Sequence, residues 1–216
     1  MKEIFRGAID GPSGAGKSTI AKAVAKELEI DYIDTGAMYR AVGYKVKQLG
    51  IDIQNKEKLA DMLANTDIDF VNGDIILDGV VVNDKIRTSE MSQMASKCSA
   101  LQEVREKLVE IQRNMGMRKS VIMDGRDIGT NVLKDAEYKI FLTASAEERA
   151  ERRHKELIEK GENITFEEVL SDIKQRDHND MTRALNPLRK ADDAKEIDTT
   201  GLNIDEVIQR VLEEVK

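Results

Sequence analysis

Eight consecutive residues carry the most specific chemistry in this chain: Gly11-Pro12-Ser13-Gly14-Ala15-Gly16-Lys17-Ser18. They match Gly-x-x-x-x-Gly-Lys-Ser/Thr, the pattern of a loop that cradles the phosphates of a nucleoside triphosphate. Gly11, Gly14 and Gly16 permit positive φ and let the backbone approach phosphate oxygens with no Cβ in the way. Successive N–H groups then form an anion nest, reinforced by the N-terminal end of a following helix. Lys17 brings a positive charge to the β- and γ-phosphates, and the Ser18 hydroxyl is a magnesium ligand. A plain glycine-rich turn is the competing reading, and the flanks decide against it. An apolar strand precedes the loop, and a helix with Ile20, Val24 and Leu28 at helical spacing follows it. The loop by itself specifies a triphosphate, not a reaction.

Five further groups place basic or carboxylate side chains near expected strand ends or along helices. They are Thr35-Gly36-Ala37-Met38-Tyr39-Arg40, Ser96 with Arg105, Asp124-Gly125-Arg126-Asp127, Arg149/Arg152/Arg153, and Arg176 with Asp180 and Arg183. In a doubly wound sheet, ligands bind outside the carboxyl ends of the strands. Arg40 and Arg126 each follow an expected strand, so both can face the cleft that the phosphate loop lines. For any single arginine the competing reading is a solvated surface charge. Arg149 and Arg153, four apart on one expected helix, share a face, and Arg176, Asp180 and Arg183 repeat that logic.

The elements that must position these groups alternate between strand and helix. Expected strands cover Ile4–Asp10, Tyr32–Asp34, Ser120–Asp124, Tyr138–Leu142 and Ile197–Thr199. Expected helices cover Lys17–Leu28, Ala37–Leu49, Asn55–Ala64 and a single long stretch over Ser89–Arg113. Capping boxes at Ser145–Glu148 and Thr165–Glu168 open two more, one ending before Gly161 and one running toward Arg183. A last helix covers Asn203–Val215, with Asn203 as its cap. This alternation predicts an α/β fold: a doubly wound parallel sheet of about five strands flanked by helices. Roughly residues 66–84 depart from it. Three β-branched or apolar runs separated by Asn72-Gly73 and Asp78-Gly79 predict a small antiparallel insert. The expected organisation is one domain over residues 1–216, with core segments at about 1–65 and 89–216. The insert lies at about 66–84 and a helical lid at about 150–185.

Composition narrows the function classes. A net charge of −7 disfavours a nucleic-acid polymer as partner, since such binding rests on excess Lys and Arg. The single cysteine, Cys98, rules out an intrachain disulfide, and two histidines make a His-rich zinc site improbable. Cys98, Met91 and Met94 read as helix packing, and His154 and His178 as exposed. No stretch reaches the apolar length of a membrane span, and Met1–Arg6 shows no signal-peptide pattern. The expectation is a cytoplasmic, reduced monomer without a membrane partner.

Several segments are more specific than the phosphate loop. They include Ile9–Thr19, Asp34–Arg40, Ile86-Arg87-Thr88, Asp124-Gly125-Arg126-Asp127-Ile128-Gly129-Thr130, Glu148–Arg153, and Arg176-Asp177 followed by Asn186-Pro187-Leu188. With them, the chain resembles the bacterial cytidylate kinases, within the P-loop nucleoside monophosphate kinases, essentially end to end. The insert at about 66–84 fits this resemblance. Thr35 stands where many relatives show Ser, and both supply a hydroxyl.

The resemblance implies transfer of the ATP γ-phosphate to CMP or dCMP with Mg2+. By it, Gly11 to Thr19 would hold ATP, and Arg149 and Arg153 would belong to a lid helix over it. Arg40, Arg126 and Arg183 would grip the monophosphate, Ser96, Arg105 and Asp127 would read the base, and Arg176 with Asp180 would hold the sugar. Thr35 and Tyr39 join the substrate-binding set. Lys17, Arg126, Arg153, Arg183 and Asp124 form the catalytic set, with Asp124 orienting a magnesium-bound water beside Ser18. Asp124 as a helix cap and Asp127 as a structural partner of Arg126 are the competing readings.

Base chemistry suits these assignments. Cytosine presents an exocyclic amine donor beside two acceptors, so Asp127 can accept while Arg105 donates. Uracil reverses donor and acceptor at the first two of these positions, and such sites can discriminate by about 10⁴-fold. A P-loop kinase for UMP or for a small metabolite is the nearest alternative. A GTP-dependent switch would normally carry Asn-Lys-x-Asp, which this sequence lacks.

Overall fold

Residues 4–215 are described in a computed structural model of the chain. The absence of a leader pattern at Met1–Glu3 concerns residues outside that range. The chain forms two compact units: one comprises residues up to 32 together with 120 onward, the other residues 33–119.

The first unit is organised by a sheet of five strands in the order β2-β6-β1-β7-β8. Its strands are β1 (Arg6–Asp10), β2 (Asp31–Asp34), β6 (Val121–Gly125), β7 (Tyr138–Thr143) and β8 (Lys195–Asp198). β1 pairs in parallel with β6 and β7, and β7 in parallel with β8. Residues Gly7–Asp10 and all of β6 are buried without alternation, as in a strand covered on both faces. From β1 the chain crosses to the β2 edge, returns to β6, and then continues to β7 on the other side. The strand order therefore reverses beside β1, and the loop leaving β1 lies at that switch point.

Helix α1 (Lys17–Glu27) packs on β6 and on α8 (Ile204–Val215), and their buried Ile20, Val24, Val207 and Val211 join Ile9, Ile122 and Leu142 in one core. Asn203 caps α8 by accepting from the Glu206 N–H, and Glu206 returns a bond to the Asn203 N–H. Helices α6 (Ala146–Glu159) and α7 (Phe166–Thr182) form a hairpin at the expected lid, with its own core of Ala150, Leu157, Val169 and Ile173. Thr165 and Glu168 complete a full capping box. Ser145 makes only half of one. It caps the Glu148 N–H, but the Glu148 carboxylate pairs with Arg152 and the Gly201 N–H instead.

The second unit holds α2 (Thr35–Gln48), α3 (Lys56–Ala64), the strands β3 (Ile68–Val71), β4 (Asp74–Leu77) and β5 (Val80–Val81), then α4 (Ser89–Cys98) and α5 (Gln102–Arg118). The strands pair antiparallel in the order β3-β4-β5, as the turn residues predict. Asn72, Gly73, Asp78 and Gly79 all take positive φ, between 49° and 86°, which matches the twist of tight hairpins.

Two expectations need correction. The single helix over Ser89–Arg113 is two helices. The break falls at Ser99–Leu101, where Leu101 is extended and the freed Ser99 carbonyl accepts from Arg105. Ser99 also turns its hydroxyl onto the Ser96 carbonyl, the local competition by serine that weakens a helix interior. His154 is half-buried rather than exposed. Its ring packs edge-on against Phe166 and bonds the Ile164 carbonyl inside the α6–α7 hairpin. His178 is exposed, while Cys98 and Met91 are buried as expected.

Candidate active site

The phosphate loop follows from its glycines. Gly11 has φ 152°, and a Cβ there would lie 2.0 Å from the Leu142 carbonyl oxygen, so only glycine fits. Gly14 and Gly16 also sit at positive φ, and Gly16 enters α1 with no side-chain cap. The first-turn N–H groups of α1 are therefore open to an anion.

Lys17 is buried, and its Nζ donates to the Pro12 carbonyl at 2.7 Å. Burial, with Arg126 nearby, pushes the ammonium down to about 7. A bound phosphate would favour the charged form and reverse that shift. Ser18 Oγ donates to Asp124 Oδ2 at 2.9 Å, and Tyr32 donates to Asp124 Oδ1 at 2.9 Å. Among the described residues no cluster of three His, Cys, Asp or Glu forms a metal cage. The Ser18–Asp124 pair is an oxygen-only donor set, which suits Mg2+.

A second charged cluster joins the segment after β6 to the end of α7. Arg126 Nε donates to Asp180 Oδ2 at 2.8 Å. Arg183 donates to Asp127 Oδ1 at 2.9 Å and lies 3.8 Å from Asp180 Oδ1. Asn131 donates to Asp127 Oδ2 at 3.0 Å. Burial works against ionisation of Asp180, but Arg126, Arg183 and Arg176 together outweigh it and hold the carboxyl below its ordinary value. Arg176 reaches Asp172 at 3.6 Å, and burial followed by the nearby Arg126 lowers its guanidinium. Arg126, Arg176 and Arg183 thus gather around Asp180. Asp127 is therefore held by Arg183 and Asn131.

Arg149 and Arg153 differ. The Arg149 side chain is 6% exposed and is bound to protein: the Ser13 and Ala144 carbonyls and Asp177. Arg153 pairs with Glu156 at 2.9 Å and is 25% exposed.

Residues 33–119 present their own group. Asp34 caps α2 through the Ala37 N–H and pairs with Arg40 at 2.8 Å. The Arg40 Nε is buried without a partner. Arg105 is 2% exposed, donates to the Ser99 carbonyl and lies 5.9 Å above the Tyr39 ring. Thr35 is buried at the start of α2, and Ser96 is half-buried on α4.

The family described as Cytidylate kinase matches residues 7–216. The chain belongs to the cytidylate kinase family. The cytidylate kinase of Clostridioides difficile is 55% identical over 208 residues, 96% of each chain. That of Caldicellulosiruptor saccharolyticus is 58% identical over 210 residues, 95% of this chain and 93% of the relative. A shikimate kinase structure from Bacteroides thetaiotaomicron superposes with a TM-score of 0.52 at 13% identity, covering 99% of both chains. At that identity the likeness speaks for the P-loop kinase fold alone. Family identity near these values does not favour a UMP or metabolite kinase.

Four buried or bridging groups escaped the sequence reading. Asp10 accepts from the N–H groups of Ile128 and Gly129 at 2.8 and 2.7 Å, yet burial pushes its carboxyl up to about 6. Tyr32, Asn131 and Asp177 are the others. Asp10 lies inside the Ile9–Thr19 segment and Asp177 inside Arg176-Asp177, a signal that was present. Asn131 and Tyr32 had none, because their partners are distant in sequence or set by the local turn.

Proposed function

We propose that this family member transfers the γ-phosphate of ATP to CMP or dCMP, giving CDP or dCDP and ADP. The observation that carries the reading is the family match along residues 7–216. Donor handling falls to the loop from Gly11 to Thr19. Lys17 neutralises phosphate charge, and the open N–H groups of α1 accept the polyanion. Mg2+ would be held by Ser18 and, through water, Asp124, and would neutralise charge between the β- and γ-phosphates.

The acceptor phosphate is already an anionic nucleophile, so no dedicated general base is needed. Catalysis then reduces to alignment and charge neutralisation. Arg126, Arg183 and Arg40 bind the monophosphate. Asp180 holds Arg126 by a charged hydrogen bond, which restricts its rotamers before substrate arrives. Asp127, Ser96 and Arg105 read the base, with Arg105 steadied by the Ser99 carbonyl and the Tyr39 ring. Thr35 and Tyr39 complete the acceptor site, and Arg176 with Asp180 holds the sugar. The α6–α7 hairpin acts as the lid, carrying Arg153 toward the transferred group and excluding water. The chain works as one catalytic domain and as a monomer in the cytoplasm. No helix among the described residues is long and apolar enough to cross a membrane.

The test is a coupled assay across CMP, dCMP, UMP and AMP at saturating ATP. CMP and dCMP should turn over at least about a hundredfold more efficiently than UMP or AMP. Equal efficiency with UMP or AMP would overturn the base-reading roles.

A further inference from the structure

The Pro12–Ser13 peptide unit is held at both of its polar ends. Its carbonyl accepts from Lys17 Nζ at 2.7 Å, and its N–H donates to Asp177 Oδ1 at 3.3 Å. Asp177 Oδ2 pairs with Arg149 at 2.7 Å. The same guanidinium donates to the Ser13 carbonyl at 2.8 Å and, through Nε, to the Ala144 carbonyl at 2.9 Å. Both backbone polar groups of Ser13 are thus held by helices α6 and α7. A steric contact adds to this: a Cβ at Gly14 would lie 3.1 Å from Arg149 Cβ.

We propose that Asp177 is a positioning residue for the phosphoryl donor. With Arg149, it fixes the plane of the Pro12–Ser13 peptide and so keeps Lys17 and the loop donors set for a triphosphate. The inference rests on the kinase reading above. Its physical basis is the loop's glycine content. With glycine at positions 11, 14 and 16, the loop's peptide planes can rotate at little steric cost. An array of donors stabilises a developing charge only when it needs no reorganisation. The loop supplies the donors, and the Asp177–Arg149 pair supplies the rigidity. Helices α6 and α7 share a core, so the pair also ties the loop to the whole hairpin. Asp177 itself touches backbone and Arg149, which distinguishes it from residues that contact nucleotide.

The experiment compares Asp177→Ala and Asp177→Asn with the native chain. It measures KM for ATP, KM for CMP, kcat, direct calorimetric titration of ATP, and the thermal midpoint. Asp177→Ala should raise KM for ATP and lower kcat, with a combined loss in kcat/KM for ATP on the order of 10²-fold. KM for CMP should stay within about twofold, a split that a merely structural residue would not give. Asp177→Asn retains an acceptor for the Ser13 N–H and should recover part of the loss. Unchanged ATP parameters, or equal losses for ATP and CMP that track a lowered midpoint, would overturn the proposal. Should the alanine variant fail to fold, native kcat/KM for ATP in Asp177→Asn would overturn it. If the native chain binds ATP but leaves CMP unphosphorylated, the kinase reading fails while the titrations still test the clamp.

Discussion

The phosphate loop and the cluster of Arg126, Asp127, Asp180 and Arg183 both suit anionic phosphate, but they are built differently. The loop presents backbone N–H groups and one lysine, with conformation set by glycine at Gly11, Gly14 and Gly16. The cluster is made of side chains from two segments more than fifty residues apart, each charge balanced by another. Backbone donors survive every substitution except one to proline, whereas paired side chains do not. The two regions should therefore fail in different ways, the loop in catalysis and the cluster in stability and catalysis together.

The largest effect should come from Lys17→Met, which is expected to lower kcat by about 10³-fold, on the scale of losing a preorganised charge-stabilising donor. Stability should be equal or higher, because burial already disfavours the Lys17 charge. A fall in thermal midpoint would break the distinction between the two regions. Next comes Arg183→Met, which takes the Arg183 cation away from the buried Asp127 carboxylate. Denaturant unfolding should show a loss of about 3 kcal/mol, with phosphoryl transfer also impaired. Native stability in that variant would mean that the cluster is not held by its ion pairs.

A smaller, pH-dependent effect belongs to Asp180. Its carboxyl lies below the ordinary value in the folded chain, with Arg126, Arg183 and Arg176 together overcoming the opposing effect of burial. A depressed carboxylate contributes stability that is full above its unfolded pKa of about 3.9 and is lost as pH falls through the folded value. Asp180→Asn should therefore be less stable than the native chain near neutrality, and the gap should close as the pH is taken below about 3.9. A gap independent of pH would show that charge is not its source. The smallest effect is at the hairpin caps. Thr165→Ala removes a full capping box and should cost about 1 kcal/mol. Ser145→Ala should cost no more, since only one of its two reciprocal bonds exists.

The same contrast explains what was legible in the sequence. The loop could be read because eight adjacent residues encode it, and β1 and α1 declare themselves on either side. The antiparallel insert could be read because Asn-Gly and Asp-Gly dictate its turns. The charged side chains of the cluster were visible, but their pairing was not. That Asp127 meets Arg183 depends on how α7 ends, which adjacency in sequence does not show. Asp10 and Asn131 were missed for a related reason. Their partners follow from the π-type turn at Ile128–Val132, which no periodicity announces. The break between α4 and α5 rests on competition from Ser99 and a long-reaching Arg105, and a helical pattern alone does not register it.

Base selection by Asp127 is the central functional claim, and Asp127→Asn tests it most directly. The measurement is the ratio of kcat/KM for CMP to that for UMP, with KM for ATP followed alongside. The account predicts that the ratio falls by more than about tenfold while KM for ATP stays within about twofold. An unchanged ratio, or equal losses toward CMP, UMP and ATP, would contradict it and leave Asp127 as only the buried partner of Arg183.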